Sequence, residues 1–189
     1  MNKNILIFGG SGFIGINLSK YLANKNYNVL STYYNKKPKK FKNIRYIKFN
    51  LMSEKFDKKI FKGIDTVFVC SANSSGAKIM TNNPSTHFED NVVMNLNLAK
   101  NLKFSNIKKI VFFSSSTVYP DTKKSCNEND INYSFFKKYN FIGNGKLMIE
   151  KIYELYTKEI NKKIDLLIIR PSNLYGPHDK FDKEKSKVI

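Results

Sequence analysis

Short apolar runs recur along the chain at residues 4–8, 28–32, 44–49, 65–70, 108–114 and 164–170, each the length of a buried strand. Between them, apolar positions at helical spacing predict helices near 13–25, 53–61, 87–104 and 143–160. Ile14, Leu18 and Leu22 mark the buried face of the first helix. Val92, Leu96, Ala99 and Leu102 do so for the third, and Met148, Ile152 and Leu155 for the fourth. This alternation predicts an α/β protein built on a doubly wound parallel sheet, helices on both faces, with strand order 3-2-1-4-5-6. Residues 120–139 are polar and broken, which predicts a long loop over the sheet, where functional residues collect.

The first strand runs straight into Gly9-Gly10-Ser11-Gly12-Phe13-Ile14-Gly15. A strand, a glycine turn and then an amphipathic helix form a Rossmann dinucleotide site. The turn bends tightly at Gly9, the backbone approaches a pyrophosphate at Gly12, and the helix packs closely on the strand at Gly15. After the second strand comes Ser31-Thr32-Tyr33-Tyr34-Asn35-Lys36-Lys37, with no Asp or Glu to hold a ribose 2′-hydroxyl. Asn35 and Lys36 suit a 2′-phosphate instead, so NADP(H) is favoured over NAD(H).

Charge changes this picture little. The 189 residues carry a formal +18, but lysine is spread along the whole chain with abundant Asn and Ile. That distribution reads as solvated faces, so a nucleic-acid partner is not expected. No apolar run approaches the roughly 20 residues of a membrane span. The two cysteines, Cys70 and Cys126, lack metal-ligand spacing, and no metal is expected. A reduced, cytoplasmic protein is the expectation.

Two further segments carry candidate chemistry. The fifth strand ends in Ser114-Ser115-Ser116-Thr117-Val118-Tyr119, where a hydroxyl at the sheet's carboxyl edge can donate to a carbonyl oxygen gaining charge. Lys146 precedes Glu150 by one helical turn, a spacing that predicts a surface ion pair.

Together, the glycine turn, the Ser-Ser-Ser-Thr-Val-Tyr strand end and Pro171-Ser172-Asn173-Leu174-Tyr175-Gly176-Pro177-His178-Asp179-Lys180-Phe181 resemble the extended short-chain dehydrogenase/reductases, the NAD-dependent epimerase/dehydratase family. The likeness is greatest to its GDP-L-fucose synthase branch. It implies an NADP(H)-dependent oxidoreductase or epimerase acting on a nucleotide-activated deoxysugar. By position, Ser115 matches the family's catalytic Ser/Thr, and Lys146 the lysine that binds the nicotinamide ribose. Pro171, Asn173 and Leu174 match the segment at the nicotinamide end, Asn50 and Leu51 the adenine-side pair, and Ser71 and Ala72 the cofactor contacts after the fourth strand. Ser116, Thr117 and Lys187 fall on the substrate side. The resemblance also implies pairing of two copies through the helices near 87–104 and 143–160.

The departures are as informative. The family's catalytic tyrosine falls at Ile142, which has no proton to give, and Tyr139 lies too far from Lys146 along the helix to replace it. The branch's epimerising Cys and His fall at Thr117 and Lys187. A catalytically impaired dinucleotide-binding protein, acting as sensor or partner subunit, is therefore the alternative. The expected organisation is a cofactor domain over residues 1–175 and, over 176–189, the start of a substrate region that is largely missing.

Overall fold

The computed structural model describes residues 3–73, 85–103, 105–135 and 137–179. Its centre is a six-stranded, all-parallel sheet of β1 (Asn4–Phe8), β2 (Asn28–Tyr33), β3 (Ile44–Lys48), β4 (Thr66–Val69), β5 (Lys109–Phe113) and β6 (Asp165–Ile169). The spatial order is β3-β2-β1-β4-β5-β6, as the strand pattern predicts. Every strand falls within two residues of its predicted bounds, because buried parallel strands read as continuous apolar runs.

Alternate residues of β1 feed two cores. Leu6 and Phe8 join a cluster with Leu98, Ala99, Leu102, Ile149 and Tyr153, under the helices α2 (Ser85–Leu102) and α3 (Asn140–Leu155). Ile5 and Ile7 point to the other face and meet Leu22 and Ala23 of α1 (Phe13–Asn24). The sheet is thus covered on both sides, which is the condition for an all-parallel sheet.

Three predicted details are corrected. The helix expected at 53–61 is only a 3-10 turn, Lys58–Phe61, capped by the Asp57 carboxylate on the Lys59 N–H at 3.0 Å. Ile60 and Phe61 still plug the core, but Phe56 reaches it from extended chain before that turn, so the apolar spacing there is not one helix face. In α3 only Ile152 of the expected stripe packs on the core. Met148 and Leu155 are about half exposed, whereas Ile149, Glu150 and Tyr153 are buried. The spacing to Lys146 put Glu150 at the surface, yet its carboxylate and the Tyr153 hydroxyl both find partners inside. The third correction concerns that glutamate: it does not pair with Lys146 at the surface, as described below.

Among the described residues, no helix is long and apolar enough to cross a membrane.

Candidate active site

The C-terminal ends of β1, β4 and β5 converge on one crevice, opened where the chain order reverses between β1 and β4. Gly9 leaves β1 at φ +85°, a backbone state that favours glycine, and a side chain there would meet the Ser71 backbone nitrogen at 2.6 Å. A Cβ on Gly15 would run into the Gly9 carbonyl, so α1 can start this close to the strand only with glycine at that position. The turn is tied to β2 by Gly10 N–H donating to the Thr32 carbonyl at 2.7 Å and Gly9 N–H to Thr32 Oγ1 at 3.2 Å.

The N-terminus of α1 carries no side-chain cap and no acidic residue in its first turn. The N–H groups of Phe13, Ile14 and Gly15 thus face the crevice without an intrahelical acceptor, and Gly12 is exposed beside them. Among the described residues only two buried side-chain atoms lack a partner, and one is Ser71 Oγ, on the segment packed against Gly9. An uncapped positive helix end, an open glycine and an orphaned hydroxyl fit a dinucleotide pyrophosphate. Ser11 is half-buried on the same turn, and Ala72 follows Ser71 toward Asn73. Asn73 anchors that segment, donating its N–H to Asn91 Oδ1 at 2.8 Å and accepting at its carbonyl from Asn91 Nδ2 and the His87 ring, both at 3.1 Å.

On the β2 side, Asn35 and Lys36 are exposed just past the strand end. Asn50 follows β3, its carboxamide oxygen accepting from the Met52 N–H at 3.0 Å. Leu51 lies in the core, so only its backbone is left to meet a bound group. That backbone is itself held, its carbonyl accepting from Asn97 Nδ2 at 3.3 Å.

Past β5, Ser115 caps a short 3-10 turn over Ser116–Val118. Ser115 Oγ accepts from the Thr117 N–H at 3.2 Å and from Thr117 Oγ1 at 3.0 Å, which leaves its own O–H as the donor. Lys146 reaches over the Phe112 ring, 5.0 Å from its centroid, and its Nζ donates to the Phe113 carbonyl at 2.9 Å. Lys146 Nζ and Ser115 are therefore both carried to the end of β5. Ile142, four residues before Lys146 on the same helix face, is half-buried, and Tyr139 lies outside α3 at its N-cap. Cys70 follows β4. Burial pushes its thiol far above the usual range, only partly offset by the Lys146 charge. A thiol held neutral is no nucleophile at neutral pH.

Pro171 links this turn to the last described segment, its carbonyl accepting the Ser116 N–H at 2.9 Å. Asn173 and Leu174 follow, exposed, and the segment docks on α1. There Asn17 donates to the Pro177 carbonyl at 2.7 Å and Lys20 Nζ lies 2.8 Å from His178 Nε2. Lys187, with the rest of 180–189, lies outside the described residues.

The largest feature missed from sequence lies behind Lys146. Glu150 is 4 % exposed and takes Arg170 bidentately, from Nε at 3.1 Å and Nη2 at 2.7 Å, together with the Ser114 hydroxyl. Arg170 also donates to the Glu128 carbonyl at 2.8 Å and stacks on Tyr119, 5.4 Å from its ring centroid. The Glu150 hydrogen bond, with Tyr119 adding to it, raises the guanidinium pKa further above its ordinary value. The available signal was composition: Arg170 is one of only two arginines in a lysine-rich chain, and a planar fork is what a buried bidentate pair requires.

The family model described as "NAD dependent epimerase/dehydratase family" matches residues 5–189. The chain belongs to that family. Family proteins similar to it include dTDP-4-dehydro-6-deoxy-D-allose reductase of a Streptomyces species, 24% identical over 99% of this chain and 60% of that protein. GDP-L-fucose synthase of Escherichia coli K12 is 27% identical over 67% of this chain and 39% of that protein. Among solved structures, MoeE5 in complex with UDP-glucuronic acid and NAD superposes with a TM-score of 0.82 at 24% identity, covering 95% of this chain and 57% of that one. This family chain thus spans 60% of the Streptomyces reductase and less of the fucose synthase.

Proposed function

We propose that the chain binds NADP(H) and takes part in oxidoreduction or epimerisation of a nucleotide-activated deoxysugar. The observation that carries this reading is the pairing of an uncapped α1 N-terminus at the glycine turn with Ser115 and Lys146 at the end of β5. Gly9 to Gly15, with Ser71 and Ala72, would hold the pyrophosphate side, and Asn50 and Leu51 the adenine side. Asn35 and Lys36 would hold a 2′-phosphate. Pro171, Asn173 and Leu174 would line the nicotinamide end. When bound, the cofactor supplies hydride transfer at a sugar carbon.

The chain's own residues then do three things. The Lys146 ammonium leaves the Phe113 carbonyl to hold the ribose hydroxyls. The Ser115 O–H, oriented by its two accepted bonds, donates to the sugar carbonyl oxygen as that oxygen gains charge. By their positions in the sequence, Ser116, Thr117 and Lys187 would serve the substrate side. Ile142 supplies no proton, so protonation passes through water or Ser115, with a rate about 10²–10⁴ below that of an enzyme with a positioned acid. The domain division at residue 175 belongs to this reading, as does pairing of two copies: Phe141, Met148 and Leu155 form a seven-residue-spaced, half-exposed apolar row on α3.

The test has two stages. Calorimetric titration should give tighter binding of NADPH than of NADH. NADPH oxidation with a GDP-4-keto-6-deoxyhexose should then exceed that of Lys146→Ala. Absence of dinucleotide binding overturns the reading entirely. Binding without turnover above that control favours a second reading, a dinucleotide-binding subunit that has lost catalysis, which rests on Ile142 in the proton donor's place.

A further inference from the structure

Opposite the cofactor crevice, at the N-terminal ends of β1, β2 and β3, lies an open cleft of about 620 Å³. The buried side chains of Val29, Ile44 and Ile60 back it, with Phe41 and Ile64 beside them. Its rim carries Lys40, Lys42, Arg45, Lys59 and Lys62, and no carboxylate lines it. These five cations come from two segments separated in sequence, the β2–β3 connection with the start of β3, and the 3-10 turn with its exit.

The neighbouring acids are already engaged. Asp57 caps the Lys59 N–H, and Asp65 accepts from Lys108 at 2.9 Å and from the Asn4 N–H at 3.1 Å. Asn28 donates to Asn4 Oδ1 and Asn4 to the Gly63 carbonyl, so these amides brace the floor. No ion pair among the described residues involves any of the five cations.

The fold explains how the charge gathers. The β2–β3 connection has no helix, so residues 34–43 run back from the C-terminal end of β2 to the N-terminal end of β3. Lys36 and Lys37 stay by the cofactor edge, while Lys40 and Lys42 arrive at the cleft. A lysine run that reads as one cluster in sequence is divided between two sites. Like charges converging on a half-apolar cleft destabilise one another unless an anion joins them.

We propose that this cleft is a second anion site, distinct from the cofactor crevice, which takes a phosphate chain: that of a nucleoside triphosphate or of inorganic polyphosphate. Several cations around one concavity suit clustered negative charge better than a single carboxylate.

The test is titration of the whole chain with inorganic tripolyphosphate and with ATP, each in the presence of saturating NADPH so that the glycine turn is occupied. Saturable one-to-one binding of either is expected, weakened at least tenfold in Lys42→Glu/Arg45→Glu. NADPH affinity should be unchanged in that variant, which shows that it folds. Lys123→Glu/Lys124→Glu, which removes equal charge from the exposed loop, should bind normally. ATP alone binding identifies a nucleotide, and both binding alike identifies the phosphate chain itself. Binding that never saturates, equal loss in the two charge variants, or binding only to single-stranded RNA overturns the proposal.

Discussion

Ile142 sits one turn before Lys146 on α3, where the fold holds a side chain against the mouth of the crevice. Restoring a phenol there should matter more than any other single change. Ile142→Tyr places an O–H on the same face as the Lys146 ammonium, and general acid catalysis at a positioned group contributes about 10²–10⁴ in rate. The expected outcome is a rise of that order in kcat for NADPH oxidation with the keto sugar nucleotide, with NADPH affinity little altered. An unchanged kcat would mean that another group already delivers the proton. Sequence exposed this position plainly, because a tyrosine-to-isoleucine difference changes chemistry and not only size.

At the scale of elements, Glu150 and Arg170 fasten α3 to the end of β6, and through Ser114 to the end of β5. Removing one partner strands a buried charge. Glu150→Ala should therefore cost about 3–5 kcal/mol, whereas Glu150→Leu/Arg170→Met should recover much of that loss. Thermal or urea unfolding of the two variants checks this. At the N-terminal ends of the central strands, the Lys108 ammonium and the Asn4 N–H hold the Asp65 carboxyl below its usual range. A depressed carboxylate stabilises the fold above its ordinary pKa, and that contribution is lost as pH falls through the folded value. Asp65→Asn should thus flatten the acid limb of a stability-against-pH curve and leave the alkaline limb alone.

These two pairings mark what the sequence could and could not show. Strands, their order and the glycine turn were legible because each depends on local patterning. The phase of α3 and the partner of Glu150 were not, since the first depends on Asn95 and Phe112 meeting Tyr153 and the second on Arg170, just past β6 and 20 residues later. That the Leu51 side chain packs into the core was not legible either, because its partners come from other elements.

For the molecule as a whole, the apolar row of Phe141, Met148 and Leu155 meets water along α3. If that row joins two copies, Met148→Glu should shift sedimentation from dimer to monomer without loss of helix signal in circular dichroism. An unchanged sedimentation coefficient would remove this face from consideration.

The strand order also has a bearing on how the chain is made. β2 adds to one side of β1, β3 to β2, then β4 to the other side of β1, β5 to β4 and β6 to β5. Each strand, as it leaves the ribosome, finds its template edge already synthesised. Parallel pairing is slow because long loops must close first, and an outward-growing sheet keeps each such closure to the interval since the last exposed edge. The exception is β4, which must return past β2 and β3 to the first strand. Co-translational folding of this protein should accordingly pause between residues 48 and 66.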